Sequence, residues 1–345
     1  MTQSTRRRRG VTIIDVAKHA GVSPMSVSRV INGDAGVREG TRAIINEAIK
    51  ALNYTPNLMA RSLVTSREIR IGVIYSNPSA AFMSDFLAGV FEEASSRAAQ
   101  LILLKGENGG APSPEAIDRL LGAGVGGVIL APPLGEIASV RTMLHDARVP
   151  VALVGARAAD AISVGIDDRQ AAYDMTRHLI GMGHRRLGFV VGNTDQQAST
   201  ARLDGFHAAI DAVDGVEAQI AQGDFSYASG LLAGERLLDG PAPPTAIFAS
   251  NDDMAAAIVS VAHRRHLDVP GDLTVTGFDD TTAAITLWPP LTTIRQPVQQ
   301  LAAEALQLLI REMRAGAPLP VGERARVLGH MLIERDSTAS PARSA

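Results

Sequence analysis

Three adjacent acidic pairs, Asp167-Asp168, Asp252-Asp253 and Asp279-Asp280, could do chemistry, and each follows or closely trails an aliphatic run. Asn251 directly precedes the second pair, and Arg202 lies between the first and second. Two uses are open to such a set. Paired carboxylates can act as acid and base in glycoside hydrolysis. Alternatively, ionised carboxylates with Asn251 and Arg202 form a fixed array of acceptors and donors for sugar hydroxyls. A structural use also exists, because Asn251 or Asp252 can cap the helical run MAAAIVSVAHR that follows.

Other chemistries are excluded or lack support. Cysteine is absent, which removes thiolate nucleophiles, iron–sulfur clusters, Cys-based zinc sites and disulfides. Neither G-x-x-x-x-G-K-[ST] nor H-E-x-x-H occurs. His263 and His266, in HRRH, lie one helical turn apart, but no third ligand is placed beside them, so they read as a solvated basic face. The run from Gly122 to Gly127 satisfies G-x-G-x-x-G by letter. It follows a helical stretch and precedes a strand, the reverse of a dinucleotide site, and so reads as a helix terminator and turn. No metal, cofactor or catalytic residue is expected.

Aromatic residues make up only 4% of the chain, so their placement carries information. Phe82, Phe86, Phe225 and Trp288 lie in or beside loops after strands, where an apolar platform under a sugar ring would sit; core packing is the alternative for each. A cleft rich in carboxylates and short of Lys or Arg favours a neutral sugar or oligosaccharide over a purine or sugar phosphate.

A second kind of chemistry is concentrated at the start of the chain. Residues 1–70 carry 12 Lys/Arg against 5 acids, whereas the remainder carries 21 against 31. A basic head on an acidic body points to a polyanionic partner for the head. Within it, VTIIDVAKHAGVSPMSVSRVIN gives a short helix packing on Val16, Ala17 and Ala20, and a turn at Gly21. A second helix starts at Ser23-Pro24 and packs on Val27, Val30 and Ile31. That is helix-turn-helix spacing, and the outer face of the second helix would be Pro24, Met25, Ser28, Arg29 and Asn32. A third helix near 39–52 buries Ile44, Ile45, Ala48 and Leu52. After Pro56, a short helix carrying Leu58, Met59, Ala60, Arg61 and Leu63 is too brief to stand alone and should order only against its copy or DNA. Leu63 is then a candidate apolar wedge in the minor groove.

The elements that must position these residues follow from the rest of the pattern. From Ile69, aliphatic runs such as IRIGVIY, GGVILA, VPVALV and DLTVTGF alternate with helical stretches. This predicts parallel sheets covered by helices, run through twice, at about 70–165 and 166–294, with a return over 295–335. Two such α/β lobes suit a ligand held at the strand carboxyl ends. A chain of 345 residues, 46% hydrophobic, has the apolar material for several cores. No apolar run reaches the ~20 residues of a membrane helix. MTQSTRRRRG lacks the apolar stretch of a secretory signal, so no membrane partner and a cytoplasmic, nucleoid-associated location are expected.

The sequence resembles the lactose-repressor (LacI/GalR) family of transcriptional regulators. The likeness runs from VTIIDVAKHAGVSPMSVSRVIN and LNYTPN through GHRRLGFV, Arg202-x-x-Gly205-Phe206, ASNDDMA, TVTGFDDT and WPPLTTIRQP, nearly the whole chain to about residue 335. It implies a small all-α helix-turn-helix domain and a periplasmic-binding-protein-like core of two doubly wound parallel-sheet lobes. The corresponding division is a basic disordered arm at 1–10, the helix-turn-helix at 11–56 and a hinge helix and linker at 57–68. The core follows at 69–335, with a first lobe at about 69–165 plus 295–325 and a second at about 166–294 plus 326–335. A polar tail ends the chain at 336–345. By resemblance Thr12, Ser23, Thr41 and Asn57 contact phosphates, Pro24, Met25, Ser28, Arg29 and Asn32 lie on the recognition helix, and Ala60 and Leu63 belong to the hinge segment. Arg202, Asn251 and Asp279, with neighbouring Asp252, fall where the family holds its effector. Phe82 and Phe86 fall in the first cleft-lining segment and Phe225 in the GDFSY loop. Pro24-Met25 leaves little hydrogen-bonding capacity at the positions that help select an operator.

The implied protein is not an enzyme but a dimeric repressor of carbohydrate-utilisation genes, released from a near-palindromic operator by a sugar. The polar ending DSTASPARSA offers no leucine-rich helix for a tetramer. The alternatives are a corepressor-dependent regulator with a purine or sugar-phosphate effector, or a sugar-binding or sugar-cleaving protein with a vestigial head.

Overall fold

The computed structural model describes residues 13–31, 37–52, 69–106 and 110–341. The chain divides between Glu68 and Ile69 into two units.

Among its described residues the head holds three helices, α1 (Ile13–Ala20), α2 (Pro24–Ile31) and α3 (Glu39–Ala51). Gly21 sits at φ 65°, the left-handed conformation that glycine adopts without penalty, and the turn closes through Val22 N donating to Ala17 O at 3.0 Å. The Ser23 hydroxyl caps α2 by accepting from Ser26 N at 3.1 Å. Val16, Ala17, Val27, Val30, Ile45 and Ala48 form the core, with Val37, Ile49 and Leu52 packed against it. Ile44, expected inside, is 53% exposed. The buried face of α3 is the row Ile45, Ala48, Ile49 and Leu52, whose i, i+3, i+4 spacing leaves Ile44 on its solvent-facing flank.

The body contains two six-stranded sheets. The strands of the first are β1 (Arg70–Tyr75), β2 (Gln100–Lys105), β3 (Gly127–Leu130), β4 (Val151–Val154), β5 (Ile162–Ile166) and β11 (Ala325–Leu328), in the order β11-β5-β4-β3-β1-β2. The second comprises β6 (Arg186–Val191), β7 (Glu217–Gln222), β8 (Ala246–Ala249), β9 (Thr274–Asp279), β10 (Thr292–Arg295) and β12 (Met331–Ile333), in the order β12-β10-β9-β8-β6-β7. Every pairing is parallel except β10 with β12. Central strands such as GVIL and AIFA are buried at every position, as parallel strands covered on both faces require.

The chain passes between lobes three times: after β5, after β10 and between β11 and β12. The last crossing differs from the expected boundary at 325/326. Ala325–Leu328 pairs in register with Ser163–Ile166 as an edge strand of the first sheet, so only Met331–Ile333 joins the second. The glycine run ends a helix (Pro114–Gly122) and turns at Gly124, φ 77°. The ending read as a polar tail is strapped to the second sheet through residue 339. Ser337 is fully buried, its carbonyl accepting from Val275 N at 3.0 Å and its hydroxyl from Thr292 N at 2.8 Å. Hydroxyls there satisfy backbone groups at strand starts, a use that composition does not reveal. No helix among the described residues is long and apolar enough to cross a membrane.

Candidate functional site

The wall contributed by the second lobe is organised around Arg202. It lies on α8 (Gln197–Asp211), which packs against α7 (Asp168–Gly181) so closely that a Cβ at Gly205 would fall 2.1 Å from Arg169 O. That approach lets Arg202 reach Asp168 at the start of α7, with Nε and Nη2 both 2.8 Å from Oδ1. Nη1 donates to Ser250 O at 2.5 Å, and the guanidinium lies 3.6 Å from the centroid of the Phe278 ring. Only 5% of Arg202 is exposed. A buried charge at this depth requires such pairing, which the carboxylate, the carbonyl and the aromatic face together supply.

Asn251 performs two tasks. Its Oδ1 accepts from Met254 N at 2.9 Å, capping α10 (Asp252–Arg264), and its Nδ2 donates to Phe225 O at 2.8 Å. Phe225 sits at φ 70°, a conformation unfavourable for a bulky residue, and its ring presses on Gly192. A Cβ at Gly192 would lie 2.0 Å from that ring, so the glycine makes the seat for the aromatic. Asp279, at the end of β9, is also buried, and its Oδ1 accepts from Gln296 Nε2 at 2.6 Å. Burial pushes its carboxyl well above the usual carboxylate range, while Arg202 pulls in the opposite direction.

Asp252 does not belong to the cavity lining, contrary to the sequence expectation. Its Oδ2 accepts from Thr281 N at 2.7 Å and Thr281 Oγ1 at 3.1 Å, and its Oδ1 from Thr293 Oγ1 at 2.7 Å. It points into the sheet, where a Cβ at Gly277 would collide with it, and joins the loop after β9 to β10. Burial pushes its carboxyl up to about 7. Asp280 likewise faces inward, bridging Arg295 and Arg335 at 2.6 Å each.

The first lobe supplies a plainer wall. Ser79 caps α4 (Ala80–Ser96) and Phe82 in its first turn lines the cavity with Asn77, Pro132 and Val154. Phe86, expected beside it, is fully buried in the core with Met83 and Val90; one helical turn carries it beyond the opening. Trp288, 79% exposed, is also outside the cavity. At the mouth, Glu136 Oε2 accepts from Gln197 N at 2.7 Å, and Gln197 Oε1 accepts from Arg157 N at 3.2 Å. These contacts clasp the two lobes across the cleft. Burial raises the Glu136 carboxyl above its ordinary range, with Asp195 and Asp168 adding to the rise and the bond from Gln197 opposing it.

The space between the walls amounts to about 620 Å³ including its open mouth. Phe82, Arg202, Phe225, Asn251 and Asp279 come together around it. The sequence reading of candidate contacts missed Asn77, Glu136, Gln196 and Gln296, and counted Asp168 only as one of a pair. Asn77, Asp168 and Gln296 each sit one or two residues past a strand, so the rule that α/β ligands bind at strand carboxyl ends could have found them.

In the head, Pro24, Met25 and Arg29 are exposed on α2 with Ser28 half-buried beside them, and Thr41 lies in the first turn of α3. Ser23 is exposed with its hydroxyl engaged in the cap. Thr12, Asn32, Asn57, Ala60 and Leu63 lie outside the described residues. Among the described residues no group of three or more His, Asp or Glu is arranged to hold a metal ion.

Residues 12–57 match the model of bacterial regulatory proteins of the lacI family, and residues 176–338 match a periplasmic binding protein-like domain. Catabolite control protein A of Priestia megaterium is 34% identical over 309 residues, covering 88% of this chain and 92% of that protein. The structure of the transcriptional regulator CelR in complex with cellobiose superposes with a TM-score of 0.70 at 31% identity, over 95% of this chain and 99% of that one. The lac repressor dimer bound to operator and the anti-inducer ONPF gives 0.80 at 27% identity, over 96% and 100%. With a three-helix head, a two-lobed parallel-sheet body and likeness extending across both, this chain belongs to the LacI family of DNA-binding transcriptional regulators.

Proposed function

We propose that this protein is a dimeric repressor of carbohydrate-utilisation genes, released from a near-palindromic operator when a neutral sugar or oligosaccharide closes its cleft. The observation that carries this reading is the cavity between the lobes. It has an aromatic from each lobe, Phe82 and Phe225, together with carboxylates at Asp168, Asp279 and Glu136, and its one guanidinium already holds a carboxylate. Such a lining accepts hydroxyls and has no unengaged cation to neutralise a phosphate. The cellobiose complex of CelR and the name of the ribose operon repressor of Escherichia coli, 33% identical over 88% of this chain, support a sugar.

Recognition of DNA is assigned to α2, with Arg29 able to fork onto guanine and Pro24, Met25, Ser28 and Asn32 beside it. Thr12, Ser23, Thr41 and Asn57 are assigned to phosphates, and Ala60 and Leu63 to the hinge segment, Leu63 as the minor-groove wedge. A dimer is supported by apolar side chains exposed along one edge of both lobes: Phe91 and Leu103 in the first, Ile220, Tyr227 and Leu232 in the second. Closure of each cleft shifts one lobe against its dimer mate and alters the separation of the two segments at 57–64. This coupling free energy typically amounts to about 1–3 kcal/mol, and by linkage operator weakens sugar binding by the same factor.

Titration of an inverted-repeat operator with and without cellobiose tests the reading. Affinity should fall on adding sugar; a rise would make the ligand a corepressor. Sustained glycoside turnover, abolished by Asp279→Asn, would replace regulation by hydrolysis.

A further inference from the structure

Charge is unevenly supplied in the cleft, where three carboxylates, Glu136, Asp168 and Asp279, stand against the single guanidinium of Arg202. Each nitrogen of Arg202 is engaged by Asp168 or Ser250 O. Asn251 uses its amide on Phe225 O and its oxygen on Met254 N, and Asn77 uses its amide on Pro132 O and its oxygen on Ser79 N. Gln296 donates to Asp279. Those bonds take one N–H of each amide and three of the five of Arg202, and the carboxylates likewise keep open oxygens. Asp168 receives its hydrogen bonds on Oδ1, Asp279 on Oδ1 and Glu136 on Oε2, and in each the second oxygen takes none from the described residues. Asp279 is only 7% exposed, yet this second oxygen belongs to a cavity-lining side chain. Gln196, 6% exposed and also lining the cavity, has a side-chain amide with no hydrogen bond among the described residues. Three half-used carboxylates and an idle amide thus line one cavity with a single guanidinium that is already paired to Asp168.

We propose that this cavity is built for a donor-rich, non-anionic ligand, and that it prefers a cationic sugar, carrying an ammonium where the neutral sugar has a hydroxyl, to the neutral sugar itself. The inference rests on the reading of the cleft as a sugar site and puts a cationic sugar ahead of the neutral one as its preferred ligand. An ammonium offers three donors and no acceptor, so all of its hydrogen bonds can go to the carboxylate oxygens left open here. Its hydrogen bonds to carboxylates are charge-assisted, roughly twice as strong as those of a hydroxyl. Burial makes the charge of Asp279 and Glu136 costly, only partly offset by Arg202 at the first and by the bond from Gln197 at the second, and a cation between the lobes relieves that cost. A phosphate reverses every one of these terms. Phe225, held in place by Gly192 and Asn251, accepts the C–H face of either sugar, so the choice between them falls to the carboxylates.

The test is calorimetric titration of the full-length protein with cellobiose, with the β-1,4-linked glucosamine dimer that replaces a hydroxyl of each ring by an ammonium, and with cellobiose 6-phosphate. The glucosamine dimer should bind about tenfold more tightly than cellobiose, equivalent to about 1.4 kcal/mol, and the phosphate should bind at least tenfold more weakly. In Asp279→Asn the ratio of the first two affinities should shrink to about threefold or less. Glu136→Gln should shrink it in the same direction and serves if the first variant does not fold. Cellobiose binding with no gain from the amines overturns the inference and leaves the sugar reading standing. Binding of none of the three overturns both.

Discussion

The two walls of the cleft are built differently. On the second lobe, polar side chains are locked into one another: Arg202 with Asp168 and Ser250 O, Asn251 with Phe225 O, Asp252 with Thr281 and Thr293, and Asp280 with Arg295 and Arg335. On the first lobe the lining is mostly apolar side chain and backbone, with Asn77, Ser79 and Glu136 as its polar exceptions. One wall is pre-organised to specify, and the other covers. The difference teaches where binding energy is stored. The cost of ordering the polar groups is met when the second lobe folds, so a ligand need not meet it again. The first lobe then contributes mainly apolar contact and the clasp from Glu136 to Gln197.

If this division is correct, damage to the two walls should differ in kind. Arg202→Ala should have the largest effect. It removes a buried side chain and leaves the half-buried Asp168 without its partner, costing roughly 2–3 kcal/mol of stability, and it should abolish the effector response; thermal unfolding and operator titration with sugar read the two losses. Gly192→Ala comes next. The added methyl must displace the Phe225 ring, so sugar affinity should fall by about tenfold or more while the stability loss stays near the 1–3 kcal/mol of an overpacked site. An unchanged sugar affinity would mean that the aromatic seat is not pre-organised. Glu136→Ala should be milder, weakening sugar about three- to tenfold through loss of one hydrogen bond of about 1 kcal/mol across the mouth, with faster amide exchange at Gln197 as its signature. The smallest effect concerns pH. Asp252 has its carboxyl raised in the folded state, so the folded protein binds the extra proton more tightly than the unfolded chain. That stabilisation is complete below the unfolded value near 3.8 and is lost as pH rises through about 7. The melting temperature of Asp252→Asn relative to wild type should therefore be higher at pH 8 than at pH 5.

The same contrast explains what could be read in advance. Strand–helix alternation, the turn at Gly21 and the cap at Ser23 are local, so they were legible from residue type and spacing. Asn251 and Asp279 were legible as candidates because each lies at or just past a strand end, whereas Arg202 lies within a helix and was picked out with them by the family resemblance. Phe82 and Phe86 could not be separated in the sequence. They are one helical turn apart, and only the direction in which the helix faces the sheet sends one to the cavity and the other to the core. Asp252 looked like a ligand contact because it adjoins Asn251; its three donors come from Thr281 and Thr293, residues remote in sequence. Glu136 and Gln196 carry no local mark at all.

The order of residues alone settled the division into a basic helical head and an acidic two-lobed body, because periodicity and charge are written along the chain. The tertiary structure decided which oxygen of each carboxylate is spent, which aromatic sees the cleft and which lobe receives Ala325–Leu328. Those outcomes depend on groups distant in sequence arriving within hydrogen-bond range, where burial raises the cost of every unpaired polar atom.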